Sequence, residues 1–385
     1  MKISNIIFCG LFILLFSNCK NEIDFHSSVE HYNLANLNVG NINDIFDSLE
    51  YTPLRFEKDT YPNMCIQIEI TDSFIYITDK NDLIHVFDDN GHYVSCSKNK
   101  RGNGPGEYEI LMGLFQGKNP DEINILTPFR MLTYDKYFNT INDFHLPTRI
   151  GQNAMLYNRG FSLGNNKYFL LPSPTSEDPE RIDVYDSEKE EIIKSMHYPK
   201  EVVSLFTMQN TCFYYMPDST LVFCPPAYSN YIYKISEDSL KPYISISYGS
   251  EIISKEELHS VSEGFRKQNE YMINSDRDIP IRSMLNSKII LSVIKKGNQK
   301  DGHWYTIAMN RKKTETSTRV NHTDTEGQKF PAIINVDEKF AYSLITKEFL
   351  LSNPTLLLNK KVSAEEDLKD IESEDLVLLK YKFCE

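Results

Sequence analysis

Residues 73–96 read Ser-Phe-Ile-Tyr-Ile-Thr-Asp-Lys-Asn-Asp-Leu-Ile-His-Val-Phe-Asp-Asp-Asn-Gly-His-Tyr-Val-Ser-Cys. Aromatic and β-branched residues crowd three short runs, 73–79, 84–88 and 92–96, and such residues suit a pleated, half-buried surface. Asp89-Asn90-Gly91 separates the last two runs, and a polar pair ending in glycine turns the chain back on itself. The stretch therefore predicts three consecutive antiparallel strands.

The same module recurs down the chain. Residues 122–126 precede 131–135, 167–171 precede 181–186, 220–223 precede 231–235, 288–294 precede 304–309, and 332–336 precede 340–345. An aspartate at the end of the second run marks the repeat at Asp88, Asp135 and Asp186, with Ser236 in the equivalent place. The spacings are 47, 51 and 50 residues. A period of about 40–50 residues with several short strands each is the pattern of propeller blades, which bury their faces only by stacking around an axis. Six modules predict an all-β, six-bladed β-propeller over residues 44–385.

The period stretches after Ser236, which predicts a helical insertion in a late blade. Ser254-Lys-Glu-Glu257 is a capping-box pattern, followed by Leu258, Val261 and Phe265 at helical spacing. Ser363-Ala-Glu-Glu366 predicts a second, shorter helix. A circular array must also close. The run near Leu49–Phe56 and the terminal run Leu376–Phe383 are the expected closing strands, which would remove the last open edge.

The first residues belong to address rather than fold. Lys2 precedes the apolar run Ile6–Phe16, which is too short to span a bilayer and suits a signal peptide over residues 1–18. Ser17-Asn18-Cys19 then predicts a lipidated Cys19, with residues 19–43 as a tether. Acyl chains hold a protein on a membrane without a transmembrane helix. The expected location is an outer-membrane lipoprotein, periplasmic or cell-surface facing.

The net charge of −13 argues against a nucleic-acid partner, because phosphate binding requires a basic face. Beyond Cys19 the cysteines are Cys65, Cys96, Cys212, Cys224 and Cys384, with no Cys-x-x-Cys pair. Free buried thiols are the plainer expectation, and Cys212–Cys224 is the closest candidate for a bridge.

The most unusual stretch is Lys98-Asn-Lys-Arg-Gly-Asn-Gly-Pro-Gly-Glu-Tyr108. Its glycines and proline preclude a regular strand or helix. Successive N–H groups of such a turn can form an anion-binding nest. Lys100, Arg101, Gly102, Gly104, Gly106 and Glu107 are thus the candidate ligand-binding residues. The competing expectation is a shaped turn between blades, with Arg101 and Glu107 paired internally. The sequence is neither a P-loop nor a dinucleotide fingerprint.

The signal segment, the early strand Asp47-Ser-Leu-Glu-Tyr-Thr-Pro-Leu54, the loop Arg101–Tyr108 and the terminal Leu-Lys-Tyr-Lys-Phe together resemble the six-bladed β-propeller lipoproteins of Bacteroides and relatives, which are NHL-repeat-like in fold. The resemblance implies a fold and an address, and carries over no catalytic residue.

No nucleophile elbow, HExxH or HxxxH occurs, so no catalytic or metal-ligating set is assigned. Asp79, Asp88, Asp135 and Asp186 could be imagined converging on a channel metal, but turn formation is the plainer role of aspartates at strand ends. Tyr214, Tyr215, Tyr228, Tyr231 and Tyr233 cluster on one blade, where rings could stack on sugars or peptides or simply pack the blade. The expected function is a lipid-anchored binding or scaffold module for a protein, small-molecule or glycan ligand, without a cofactor. The alternative is a propeller-type hydrolase or lyase with calcium or zinc in its central channel.

Overall fold

The computed structural model describes residues 29–34, 38–40, 44–57, 65–147, 155–173, 176, 178, 180–198, 211–226, 229–249, 252–254, 257, 267, 270–271, 274–297, 304–312, 317–321, 331–352 and 375–384. The signal segment, Cys19, Tyr228 and the second capping box lie outside them.

The described residues form six sheets, the blades of a β-propeller. Blade 1 runs from its inner strand outward through Cys65–Ile70, Phe74–Asp79, Ile84–Asp88 and Tyr93–Cys96. Blade 2 comprises Gly113–Gln116, Glu122–Leu126, Arg130–Asp135 and Thr140–His145. Blade 3 comprises Tyr157–Gly164, Lys167–Pro172, Arg181–Asp186 and Glu191–His197. Blade 4 uses Phe213–Tyr215, Leu221–Phe223, Tyr231–Ile235 and Leu240–Ser247, and blade 5 uses Ile279–Leu285, Ile289–Lys295, Trp304–Asn310 and Ser317–Asn321.

The middle strands are near-continuous apolar runs because both of their faces pack on neighbouring blades. Ile123, Ile125, Leu132 and Tyr134 of blade 2 share one buried cluster with Tyr76, Ile84 and Val86 of blade 1. The outer strand of blade 2, Thr140–His145, is almost wholly exposed.

Blade 6 closes the ring. It takes Asn335–Val336, Phe340–Thr346 and Leu376–Phe383 from the C-terminal part and Phe46–Pro53 from the N-terminal part. Leu378 pairs with Thr52 and Tyr381 with Leu49. The Phe46 ring lies 5.2 Å from that of Tyr381 and 5.3 Å from that of Phe383. The expected closing pair thus forms, with its N-terminal strand a few residues earlier than the sequence pattern suggested.

Two expectations are corrected. First, part of the segment expected as tether is folded onto the body. Glu30–Asn33 adds a parallel fifth strand to the outer edge of blade 4, and Asn38–Val39 does the same on blade 5. Tyr32 and Leu34 are buried there, so apolar burial holds this segment in place. The chain before Phe46 therefore runs along the rim of blades 4 and 5 before it completes blade 6.

Second, the last repeat is out of phase. Residues 332–336 and 340–345 supply the inner and second strands of blade 6, whereas the corresponding pairs elsewhere supply the second and third. The turn between those two strands is built as in blade 5, where Asn286 Oδ1 accepts from Lys288 and Ile289. Asp337 Oδ1 accepts the N–H groups of Lys339 and Phe340 and so closes a hairpin between the first two strands. The third strand arrives only after an insertion that begins with the short helix α1 (Lys347–Ser352).

The capping box at Ser254 forms as a reciprocal pair. Ser254 N–H donates to Glu257 Oε2 at 2.8 Å, and Glu257 N–H donates to Ser254 Oγ at 3.1 Å. Glu257, Lys267, Glu270, Tyr271 and Asn274 are helical. The insertion joins the outer strand of blade 4 to the inner strand of blade 5. Its base is tied by Ile253 N–H donating to Asp278 O at 2.9 Å.

Candidate functional site

Each inner strand runs toward the same end of the central channel, and there the six blades enclose a cavity of about 930 Å³. That lies near the upper end of the roughly 300–1,000 Å³ typical of small-molecule sites. Glu69, Phe115, Phe161, Phe213, Asn286 and Phe340 represent blades 1 to 6 in its wall.

Glu69 is a buried carboxyl in that wall. It sits on Cys65–Ile70, where Gln67 and Glu69 alternate with Ile66, Ile68 and Ile70. Only 8% of its surface is exposed. Burial pushes its carboxyl up to about 8, against hydrogen bonds from the Gln116 backbone and the Thr211 hydroxyl that favour the ionised form. Thr211 Oγ1 lies 3.5 Å from Glu69 Oε2, so blades 1 and 4 meet across the channel. Burial thus biases Glu69 toward its protonated form, in a wall it shares with the rings.

The rings form a connected wall on blades 3 and 4. Phe161 lies 5.1 Å from Phe213 and 5.5 Å from Tyr215, centroid to centroid. Phe213 is braced from behind by Phe169, stacked at 5.5 Å with an interplanar angle of 16°. Tyr215 is 54% exposed at the mouth. Of the expected tyrosine cluster, Tyr214 and Tyr233 are buried, Tyr231 is half-buried and Tyr215 is exposed.

Arg282, on the inner strand of blade 5, is a cation without an acidic partner among the described residues. Its Nη2 donates to Ile333 O, and burial holds its guanidinium down to about 10. It does not line the cavity.

The glycine-rich loop, read as an anion nest or as a shaped inter-blade turn, lies elsewhere. None of residues 98–108 lines the cavity. The loop packs between blades 1 and 2, against the outer strands of blade 2. Gly104 N–H donates to Glu107 Oε2 at 3.0 Å, Gly106 N–H to Asp143 Oδ2 at 3.2 Å, and Gly102 N–H to Tyr108 O at 3.0 Å. The N–H groups of all three glycines thus meet acceptors of the chain itself. Arg101 Nη1 sits 3.8 Å from Asp82 Oδ2, with its guanidinium 5.1 Å from the Tyr108 ring centroid. Lys100 Nζ lies 6.0 Å from the Tyr134 ring centroid. The structure brings the six candidate residues together in one turn, and Arg130 clamps that turn through Gly104 O and Glu107 O.

The repeated aspartates are turn formers. Asp88 Oδ1 accepts from Asn90 and His92, Asp135 Oδ1 from Tyr137 and Asn139, and Asp186 Oδ1 from Glu188 and Lys189. Asp79 Oδ1 does the same for Asn81 and Leu83. No group of three or more His, Cys, Asp or Glu among the described residues is arranged to hold a metal. Cys96, Cys212, Cys224 and Cys384 are free thiols, with Cys212 and Cys224 buried. Cys224 N–H bonds Cys212 O at 2.8 Å, so the two are backbone neighbours without a bridge.

Sequence reasoning missed Glu69 and the inner strands around it. The alternation of Gln67 and Glu69 with isoleucines was the available signal, and it marks a strand with one polar side.

A chain of Bacteroides fragilis NCTC 9343, assigned as an exported protein, has a similar fold with a TM-score of 0.69. It is 17% identical, and the match covers 93% of this chain and 100% of that one. A member of the DUF4221 family from Bacteroides vulgatus matches with a TM-score of 0.54 and 13% identity, over 88% of this chain and 99% of that one. At these identities the likeness concerns the fold. No curated protein matches the sequence. A family profile described as a domain of unknown function, DUF4934, matches residues 21–378, and the chain belongs to that family.

Proposed function

We propose that this chain is an exported, lipid-anchored binding module whose ligand enters the mouth of the central channel. The observation that carries the reading is the convergence of all six inner strands on one cavity that holds a buried carboxyl and a ring wall ending in the exposed Tyr215. Concave sites in which rings and convergent polar groups share one wall are the usual place for a ligand. The anchor rests on Cys19 and the apolar run before it, and outer-membrane placement follows from the lipoprotein reading. The Arg101–Glu107 loop then serves as an inter-blade turn, because its N–H groups already have acceptors.

A thermal-shift screen of the full chain against small molecules, oligosaccharides and peptides tests the site. A compound that raises Tm in the wild type and in Arg101→Ala, but not in Tyr215→Ala, supports the channel mouth. Dependence on Arg101 with indifference to Tyr215 would move the site to the loop. The anchor is tested separately by palmitate labelling in cells, which Cys19→Ala abolishes if Cys19 is acylated. Metal analysis of the same preparation tests the alternative: calcium or zinc bound in stoichiometric amount would support a hydrolase or lyase.

A further inference from the structure

The mouth of the channel limits what it can hold. Its wall carries Asp72, Asp89, Asp337 and Glu338 against Lys118, Lys339 and Lys380, besides Glu69, which burial biases toward its protonated form. That acidic balance disfavours phosphates, sulfates and uronates.

A cationic ligand fares little better, because several of these carboxylates are engaged. Asp337 accepts from Lys339, Phe340 and the Tyr342 hydroxyl. Glu338 accepts from the Ser287 N–H and hydroxyl, and Asp89 from Asn90. The lysines would repel a cation as well.

An extended peptide would need main-chain donors and acceptors. The turns at the mouth keep theirs. Thr71 N–H bonds Phe74 O, Gly117 N–H bonds Glu122 O, Met216 N–H bonds Thr220 O, Asn286 N–H bonds Ile289 O, and Asp337 N–H bonds Phe340 O. Those turns therefore offer a peptide no free main-chain groups, and the mouth presents rings and side-chain oxygens beside the channel-facing edges of the inner strands.

What remains is a ligand with flat apolar faces and hydroxyls at its edges. We propose that the channel mouth holds a neutral saccharide, with a sugar ring stacked on Tyr215 beside Phe161 and Phe213 and a hydroxyl meeting Glu69. This deepens the channel-mouth reading and rests on it. Tyr215 packs on Phe161, which packs on the buried Phe213 stacked against Phe169, so the exposed ring needs little ordering on binding. The Glu69 carboxyl, which burial biases toward its protonated form, can in that form both donate to and accept from a hydroxyl.

The test is a glycan array carrying neutral and acidic oligosaccharides, probed with the full chain and its variants. A peptide array runs in parallel. Neutral oligosaccharides are expected to be retained, with affinity falling about ten-fold in Tyr215→Ala, the size of one lost ring contact. Tyr137→Ala, which removes a 60% exposed ring on blade 2, is expected to leave binding unchanged. Glu69→Gln keeps a donor and an acceptor and is expected to bind better than Glu69→Ala. Retention of acidic glycans alone, or of peptides alone with the same Tyr215 dependence, would overturn the saccharide and keep the site. Saccharide binding unaffected by Tyr215→Ala would overturn both, as would the absence of any retained glycan or peptide.

Discussion

Arg311 and Glu30 lie 2.8 Å apart across 281 residues of sequence. Arg311 follows the third strand of blade 5, and Glu30 opens the strand that the N-terminal segment lays on blade 4. The same guanidinium donates to the Tyr243 hydroxyl at 2.7 Å and to Asn286 O at 3.3 Å. Glu30 also accepts from Tyr32 at 3.1 Å. One cation thus ties the N-terminal strand, blade 4 and blade 5 together, with only 9% of its side chain exposed.

Arg311→Ala removes that tie and leaves the Glu30 carboxylate and the Tyr243 hydroxyl without this donor. We expect a loss of ~1–3 kcal/mol, since hydrogen bonds to charged groups are worth more than neutral ones. Urea unfolding of the two proteins measures it. Local exchange of the amides of Glu30–Asn33 should rise before that of blade 2, which the segment does not touch.

Gly106 is the glycine of the Arg101–Tyr108 loop whose backbone demands it. Its φ is +63°, and a Cβ there would meet Thr140 Oγ1 at 2.4 Å. Gly106→Ala should destabilise the fold by ~1–3 kcal/mol through strain and crowding. Ligand affinity at the channel should stay as it was below the melting transition. Thermal unfolding and a titration well below Tm separate the two effects.

Glu69 gives the fold a pH dependence of known sign. Its folded-state pKa of about 8 stands above the ordinary carboxyl value, so the folded protein retains a proton that the unfolded chain releases. Stability from this group is full below the unfolded pKa and declines as pH rises toward and through about 8. Glu69→Gln removes the titration. The variant should therefore gain in Tm relative to the wild type between about pH 5 and about pH 9, with any pH-independent cost of the substitution unchanged. Parallel Tm curves for the two proteins would show that Glu69 ionises normally.

Cys212 and Cys224 should resist alkylation in the native protein. Both thiols are buried, and burial pushes Cys212 up to about 11 and Cys224 well above its ordinary value. The thiolate is the reactive form, so native labelling should be slow and should become fast in denaturant. Peptide mapping after a pulse of iodoacetamide reads this directly, and a mass shift for a bridge between them would contradict it.

The parts of the fold that were legible were those with local chemistry. The Asp-Asn-Gly turn at 89–91 and the aspartates at 88, 135 and 186 each organise their own turn through hydrogen bonds a few residues away. The apolar closing strand Leu376–Phe383 also declared itself. The inner strands of blades 1 to 5 did not. Gly113–Gln116 is short, and Tyr157–Gly164 contains Arg159 and two glycines. Such strands have one edge on the channel, so their composition is a compromise between packing and the site. Glu30–Asn33 was illegible for another reason: its role depends on a partner strand more than 200 residues away. The Arg101–Tyr108 loop was conspicuous because its shape is unusual, and that shape seats Glu107, Arg130 and Asp143 against one another.

Hydrogen exchange with and without a bound ligand tests the central claim most directly. If the channel mouth is the site, ligand should slow exchange at the mouth ends of the inner strands and their turns, around residues 69–75, 115–118, 160–164 and 211–215, while 98–108 stays unchanged. Slowed exchange across 98–108 with no change at the channel mouth would contradict the account.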